Sequence, residues 1–282
     1  MPRPPSNYPA LGRDFAELPR YWTGLLRADK SSLPLHRFTT GPHRRQYVLV
    51  SDPPEEGGRG YVIYNHGGGW RHGRPEQFLA AARRFRAWGY GCILPSYRRI
   101  TRYDYSAIRA DQIAALRVAR RYIISSPDQP EPRLLAAGMS AGGHLTALLA
   151  LDRGILRAAG WESPARVAVI CAGVLSLDGM ADTHVIRALA GRDPRADLYR
   201  SADPLCLLDD RPADPPRLLI LHGIRDGMAP IGQARTFFEQ ARKKGFPVDM
   251  IELAGGHLAA ARWLFRKDEC YAAIVSLLAE DY

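Results

Sequence analysis

The sequence predicts an α/β fold in which a mostly parallel central sheet is covered by helices on both faces. Short, continuous apolar runs alternate along the chain with longer amphipathic segments, as buried parallel strands alternate with helices. A length of 282 residues suits one large unit of this kind with its own core. The composition, with 46% hydrophobic and 24% charged residues, is that of a globular protein.

The regular pattern begins at residue 46. The predicted strands cover residues 47–50, 61–65, 91–95, 134–138, 166–172, 217–222 and 248–253. The predicted helices cover residues 75–88, 107–124, 231–244 and 271–278, and one more starts at or just after Ser140. The first of these helices has the expected end signals, because Pro75 stands at its start and Gly89 follows its end.

The N-terminal segment, residues 1–45, is irregular by the same criteria. Its aromatic and apolar residues, such as Phe15, Leu18 and Tyr21, recur at rough helical spacing. We therefore expect this segment to form a short helix that packs over another surface, and to contribute to a cap.

A second departure from the alternation interrupts the main domain, which spans residues 46–282. Residues 175–212 hold Asp- and Pro-rich turns and one helix-like piece at 183–190. In α/β proteins such insertions usually lie over the carboxyl ends of the strands, where ligands bind. The stretch predicts a small cap over the binding site.

The net charge of +10 is carried mainly by arginine, since only 4 of the 39 basic residues are lysine. The arginines are spread along the whole chain, and their local clusters have helical spacing, as on solvated helix faces. No nucleic-acid-binding motif accompanies the charge, so we expect no nucleic-acid partner.

The cysteines and the hydropathy pattern indicate the cell compartment in which the protein is expected. The four cysteines lie far apart without metal-ligand spacing, which favours free thiols and no metal site: Cys92, Cys171, Cys206 and Cys270. Residues 1–11 lack the apolar stretch of a signal peptide, and no apolar run reaches the length of a membrane span. We expect a cytoplasmic protein without a membrane partner.

Ser140 lies between a predicted strand and a predicted helix, flanked by Gly138 and Gly142. The two glycines allow a turn tight enough for the serine hydroxyl to stand clear of the chain, as a nucleophile must. The alternative is a serine that caps an ordinary helix. We predict that Ser140 is a nucleophile, and that His144, four residues later, is a packing residue.

The strand at 61–65 runs directly into the glycine-rich stretch His66-Gly67-Gly68-Gly69-Trp70. Acyl transfer places a negative charge on a carbonyl oxygen, and backbone N–H groups aimed at that oxygen stabilise it. We predict that Gly68 and Gly69 donate such bonds, with Ala141 as the third donor. His66 braces the loop in this interpretation, whereas the alternative is a loop that is merely flexible.

Together these motifs resemble the α/β-hydrolase superfamily over roughly residues 45–282. Within it, the chain is similar to hormone-sensitive-lipase-like carboxylesterases, bacterial acetyl and feruloyl esterases, and kynurenine formamidases. The resemblance rests on both motifs and on three further stretches: Ser96-Tyr97-Arg98, His222-Gly223-Ile224-Arg225-Asp226-Gly227-Met228-Ala229-Pro230 and Gly255-Gly256-His257. Where the family has Val before that Pro, and Asp before Tyr-Arg, this chain has Ala229 and Ser96. Neither departure touches a reacting group.

The resemblance implies an α/β-hydrolase fold with a triad in the order Ser, Asp or Glu, His, each on a loop after a strand. Asp226 follows the strand at 217–222, and His257 follows the strand at 248–253. We therefore predict Asp226 as the triad acid and His257 as the base. The alternatives are His222 as the base and Asp209 or Asp210 as the acid.

The predicted activity is that of a serine carboxylesterase acting on small to medium acyl esters. Trp70 and Tyr97 are predicted to contact an apolar or aromatic part of a small-molecule ester or amide. No cofactor is implied, because a triad supplies nucleophile and base itself. Two alternatives stay open: arylformamidase activity on N-formylkynurenine, and a hydrolase fold that binds ligands without turnover. The sequence does not indicate an oligomeric state.

Overall fold

The computed structural model describes residues 8–27, 32–126, 128–178, 180 and 183–280. Within these residues the strands form one eight-stranded sheet in the order β1-β2-β4-β3-β5-β6-β7-β8. β1 and β2 pair antiparallel, as do β2 and β4, and all other neighbours are parallel. The strands are β1 His36–Thr39, β2 Tyr47–Ser51, β3 Gly60–Asn65, β4 Tyr90–Pro95, β5 Leu134–Met139, β6 Ala165–Cys171, β7 Arg217–Gly223 and β8 Val248–Leu253.

Helices follow most of the strands, so the predicted α/β architecture is confirmed. The α-helices of the described residues are α1 Tyr8–Arg27, α2 Leu79–Ala87, α3 Tyr105–Ile123, α4 Ala141–Leu151, α5 Arg153–Ala158, α6 Thr183–Ala190, α7 Asp197–Ala202, α8 Pro204–Leu207, α9 Ile231–Lys243 and α10 Glu269–Glu280. Three 3-10 helices cover Pro75–Phe78, Leu208–Asp210 and His257–Leu264. None of these helices combines the length and the apolar character needed to cross a membrane.

Alternate residues of each central strand pack on opposite faces of the sheet, as the pleat requires. Val62 and Tyr64 of β3 join the core beneath α1, α2 and α10, whereas Ile63 joins the core beneath α3 and α5. Phe237 of α9 packs on β6 and β7 on that second side. Both faces are therefore buried, which explains the continuous apolar runs in the sequence.

The parallel strands end together at one edge of the sheet. Asn65 at the end of β3 is in register with Gly138 of β5, and Gly223 at the end of β7 is in register with Leu253 of β8. The loops that carry the predicted site residues all leave from this edge.

The N-terminal segment is more regular than the sequence pattern suggested. Residues 8–27 form the long helix α1, and residues 36–39 form the edge strand β1. Apolar side chains of α1 reach the core; among them, Tyr21 donates a hydrogen bond to Met139 Sδ at 3.6 Å, and Trp22 packs edge-to-face on Phe78. Residues 1–7 and 28–31 of the segment lie outside the described residues.

The described residues of the insertion at 175–212 form three short α-helices, α6, α7 and α8, and the 3-10 helix Leu208–Asp210, between β6 and β7. The predicted helix-like piece at 183–190 is α6. Buried apolar residues of α6 pack in one cluster with Trp70, Tyr97 and Ala141. The insertion therefore lies against the loops that follow β3 and β5. Residues 179, 181 and 182 lie outside the described residues.

Candidate active site

The turn at Ser140 has a backbone conformation that side chains rarely adopt, with φ 59° and ψ −123°. The flanking glycines are required by contact distances: a Cβ on Gly138 would lie 2.4 Å from Gly142 O, and one on Gly142 would lie 2.0 Å from Asn65 O. The backbone N–H of Ser140 donates to Cys171 O at 2.8 Å. Strain of this kind persists only where the surroundings fix it, as at a nucleophile turn.

The loop after β3 lies directly against this turn. A Cβ on Gly67 would lie 2.9 Å from Met139 O and 3.5 Å from the Cβ of Ser140. The next three residues have positive φ angles, 124° at Gly68, 58° at Gly69 and 55° at Trp70. Such a run of left-handed residues turns the backbone sharply beside the serine, and glycine tolerates it at little cost.

The three predicted oxyanion donors share one property. Among the described residues, no acceptor binds the backbone N–H groups of Gly68, Gly69 or Ala141. Ala141 is also the first residue of α4, so its N–H lies at the positive end of a helix dipole. N–H groups in this position are suited to hold a developing oxyanion.

Asp226 lies at the turn after β7 and is surrounded by donors. Its Oδ1 accepts the backbone N–H groups of Met228 at 2.9 Å and Ala229 at 2.8 Å. Its Oδ2 accepts Nδ1–H of His257 at 2.8 Å and lies 3.2 Å from Nε2 of His222. Burial alone would raise the pKa of Asp226, but the two histidines outweigh it and hold that pKa below its usual value. The carboxylate is therefore ionised.

His257 begins the 3-10 helix after β8, and it is 2% exposed. Because Nδ1–H binds Asp226, the neutral ring carries its lone pair on Nε2, and no described residue hydrogen-bonds to Nε2. Burial lowers the pKa of His257, but the charge and the hydrogen bond of Asp226, together with the charge of Asp14, outweigh burial and raise it above its usual value. His257 and Ser140 are not hydrogen-bonded in this conformation; such bonds often form only with substrate bound.

In the structure the alternative base and acids have other partners. His222 is buried, and its Nε2–H donates to Ala229 O at 2.8 Å, so it holds the turn that presents Asp226. Asp209 is an exposed residue that pairs with Lys244 at 2.7 Å. The structure does not bring Asp209 or Asp210 to His257.

His66 is buried beneath the glycine loop and stacks on Tyr97 with ring centroids 4.4 Å apart. Its Nδ1–H donates to Gly67 O at 2.9 Å, and Tyr97 Oη–H donates to His66 O at 3.1 Å. Burial lowers the pKa of His66 to about 4, so the ring is neutral at pH 7. These bonds brace the loop, as predicted for His66.

Trp70 and Tyr97 were predicted to contact substrate, and both are buried, at 2% and 1% exposure. The indole N–H of Trp70 donates to His144 Nδ1 at 3.2 Å, and His144 Nε2–H donates to Ala202 O at 2.7 Å. His144 thus joins the glycine loop, α4 and the insertion, which fits its predicted packing role. A direct contact of Trp70 or Tyr97 with substrate stays a prediction.

Asp14 of α1 is a site residue that the sequence analysis missed. It is 1% exposed, and its carboxylate accepts the backbone N–H groups of His257 and Gly227, each at 2.8 Å. One signal was present: Asp14 shares a helical stripe with Leu18 and Tyr21, which pack on the core. A carboxylate on an apolar stripe requires partners of its own, and here they are the acid and base loops.

The described residues contain no group of three or more His, Cys, Asp and Glu side chains that could hold a metal ion. The absence of a metal and of a cofactor in the working protein stays a prediction from the sequence.

The strand order, the strained serine turn and the Asp–His pair define an α/β-hydrolase. A model of the BD-FAE family matches residues 50–241, more than half of the chain, so the chain belongs to this family. The resemblance drawn from the motifs is confirmed at this level.

Among curated proteins, the chain is similar to two esterases of Mycobacterium tuberculosis (strain ATCC 25618 / H37Rv). Esterase LipQ is 28% identical over 89% of this chain and 67% of its own length. Esterase LipC is 27% identical over 70% of this chain and 52% of its own length. The chain therefore spans about two thirds of LipQ and about half of LipC.

Solved structures share the fold at lower identity. Esterase B from Lactobacillus rhamnosis (HN001) has a TM-score of 0.74 at 17% identity, covering 97% of this chain and 94% of its own. Esterase 2 from Thermogutta terrifontis has a TM-score of 0.65 at 21% identity, covering 88% and 93%. The predicted α/β-hydrolase fold is confirmed by these likenesses.

Proposed function

We propose that this chain is a serine carboxylesterase that cleaves small to medium acyl esters through an acyl-enzyme intermediate. The observation that carries the proposal is the 2.8 Å hydrogen bond between His257 Nδ1 and Asp226 Oδ2, which leaves Nε2 buried and without a hydrogen bond to any described residue. A histidine held in this tautomer is the general base that an adjacent serine requires.

In this mechanism Nε2 of His257 takes the proton of Ser140 as Oγ attacks the ester carbonyl. The N–H groups of Gly68, Gly69 and Ala141 stabilise the resulting oxyanion, and protonated His257 then gives its proton to the departing alcohol. Water hydrolyses the acyl-enzyme by the same steps with His257 again as base. Asp226 stays ionised and stabilises the imidazolium.

The preference for small to medium acyl groups draws on the insertion and on similar proteins. The helices α6, α7 and α8 are short and pack on the loops of the site, unlike a large lid. Esterase B has also been solved with a C4-C4 tributyrin phosphonate inhibitor, and that structure has a TM-score of 0.73 with this chain. The short acyl chains of that inhibitor support short acyl groups as substrates of this chain. The cytoplasmic location stays a prediction from the sequence.

The test is kcat/KM for p-nitrophenyl esters of increasing acyl length and for N-formylkynurenine, with wild type, Ser140→Ala and His257→Ala side by side. We expect hydrolysis by wild type to be highest for short esters and to fall by about 10⁴-fold or more in each variant. A higher kcat/KM for N-formylkynurenine than for every ester would replace the ester proposal by arylformamidase activity. Folded wild type without turnover of either class would contradict both.

A further inference from the structure

We propose that Asp14 of the N-terminal helix is a positioning residue for the base: its carboxylate fixes the loop of His257 to the loop of Asp226 and places a second negative charge beside the imidazole. Helix α1 is then part of the catalytic apparatus and not only a cover on the core. This inference rests on the proposed function in that it assigns His257 as the base.

The contacts of Asp14 divide evenly between the two loops. Oδ1 accepts the N–H of His257, and Oδ2 accepts the N–H of Gly227, the residue after Asp226, both at 2.8 Å. Each oxygen holds one loop, so the rigid carboxylate sets the spacing between them. Bonds from an ionised acceptor to backbone N–H groups are about twice as strong as neutral ones.

The backbone around the carboxylate is shaped to admit it. A Cβ on Gly256 would lie 2.0 Å from Asp14 Oδ1, so a larger residue there would displace the carboxylate. A Cβ on Gly223 would in turn lie 2.2 Å from Gly256 O. The N–H of Arg225 also donates to Gly255 O at 2.9 Å, which joins the two loops directly. Asp14 completes this junction from outside the sheet.

Docking of α1 does not account for a buried carboxylate at this position. Tyr21 and Trp22 already pack α1 on the core, and Glu17 pairs with Arg262 at 3.0 Å. Burial raises the pKa of Asp14, because removal from water destabilises its ionised form. An apolar residue would avoid that cost, but it would leave the N–H groups of His257 and Gly227 without an acceptor.

The charge of Asp14 acts in the same direction as that of Asp226. Both carboxylates favour the protonated form of His257, which is the form created when Ser140 attacks. Other titratable or charged groups on the elements around His257 include His222 behind Asp226, the Glu17–Arg262 pair, and the exposed residues Arg13, Arg20, Arg225 and Glu252. Removal of the Asp14 charge therefore lowers the pKa of His257.

The experiment compares Asp14→Asn and Asp14→Ala with Glu17→Gln, a control that removes a carboxylate from the same helix; Glu17 pairs with Arg262, five residues beyond His257, and accepts neither of the two backbone N–H groups that Asp14 holds. We expect kcat to fall about 10- to 100-fold in both Asp14 variants with KM little changed, because the base is misplaced while binding is not. The acidic limb of the kcat/KM profile is expected to move to lower pH in Asp14→Asn. Glu17→Gln is expected to keep both the wild-type kcat and the wild-type limb.

A purely structural role would lower the melting temperature of Asp14→Asn while its folded fraction kept the wild-type kcat and acidic limb; that result overturns the proposal. If Asp14→Ala does not fold, the kinetics of Asp14→Asn test the proposal, since asparagine has nearly the same shape as aspartate. NMR titration of the His257 ring in wild type and Asp14→Asn needs no turnover. An unchanged His257 pKa there would overturn the charge effect even if the esterase proposal had failed on its own.

Discussion

The two sides of the candidate site are held by different interactions. Around Ser140, backbone fits against backbone: Gly142 lies so close to Asn65 O that no side chain fits between them. The loop at 66–70 is braced by its own first residue, His66, which is buried and neutral. Around His257, the charged carboxylates of Asp226 and Asp14 hold the loops by accepting hydrogen bonds from the ring and the backbone N–H of His257. In the proposed mechanism the first side provides a fixed oxyanion site, and the second provides a proton acceptor whose pKa depends on neighbouring charges.

The largest expected effect lies on the charged side. Asp226→Asn keeps the shape but favours the wrong tautomer of His257, so kcat should fall about 10⁴-fold, or about 5.5 kcal/mol of transition-state stabilisation. Steady-state kinetics on the best ester, with unfolding curves to show that the variant is folded, measure this.

Asp209→Asn is the matched control, because Asp209 is exposed and pairs with Lys244 away from the site. Its kcat should equal that of wild type. Near-normal activity of Asp226→Asn would show that Asp226 is not the triad acid.

The next largest effect tests the backbone side. Gly142→Ala places a methyl group 2.0 Å from Asn65 O, and backbone cannot move aside as a flexible side chain can. We expect a loss of about 3 kcal/mol or more in the free energy of unfolding, measured by urea denaturation.

Gly232→Ala in α9 provides the control for this substitution, since its added methyl group meets nothing within 4 Å. It should leave the free energy of unfolding unchanged or raise it by up to about 1 kcal/mol. If the two variants were equally stable, close backbone contact would not hold the serine turn.

The smallest effect concerns the neutral histidines. Burial lowers the pKa of His66 and of His144 to about 4, whereas in the unfolded chain both titrate near 6.5. Between these values the unfolded chain binds more protons than the folded protein, so the free energy of unfolding falls as pH falls. His144→Gln removes one of the two histidines, so the slope of the free energy of unfolding against pH should fall by about the contribution of one proton.

Urea denaturation at several pH values between 7 and 4 measures the slope. An unchanged slope in His144→Gln would mean that His144 is protonated in the folded protein, and that the backbone side is not free of charge.

The local parts of this comparison could be predicted from sequence, and the distant parts could not. The glycines around Ser140 and the loop positions of Asp226 and His257 are adjacent in the chain to the strands that place them. Strand β1 was missed because its residues are mostly exposed and carry no buried pattern. Asp14 was missed because its partners lie 213 and 243 residues away, and no local pattern reports such a contact.

Labelling with a fluorophosphonate probe tests the central claim most directly, because the probe reacts only with an activated serine. Wild type, Ser140→Ala and His257→Ala are compared after proof of folding, and the adduct is located by peptide mass spectrometry. The account predicts a single adduct on Ser140 of wild type and none on either variant. Folded wild type without an adduct, or labelling that persists in Ser140→Ala, would contradict it.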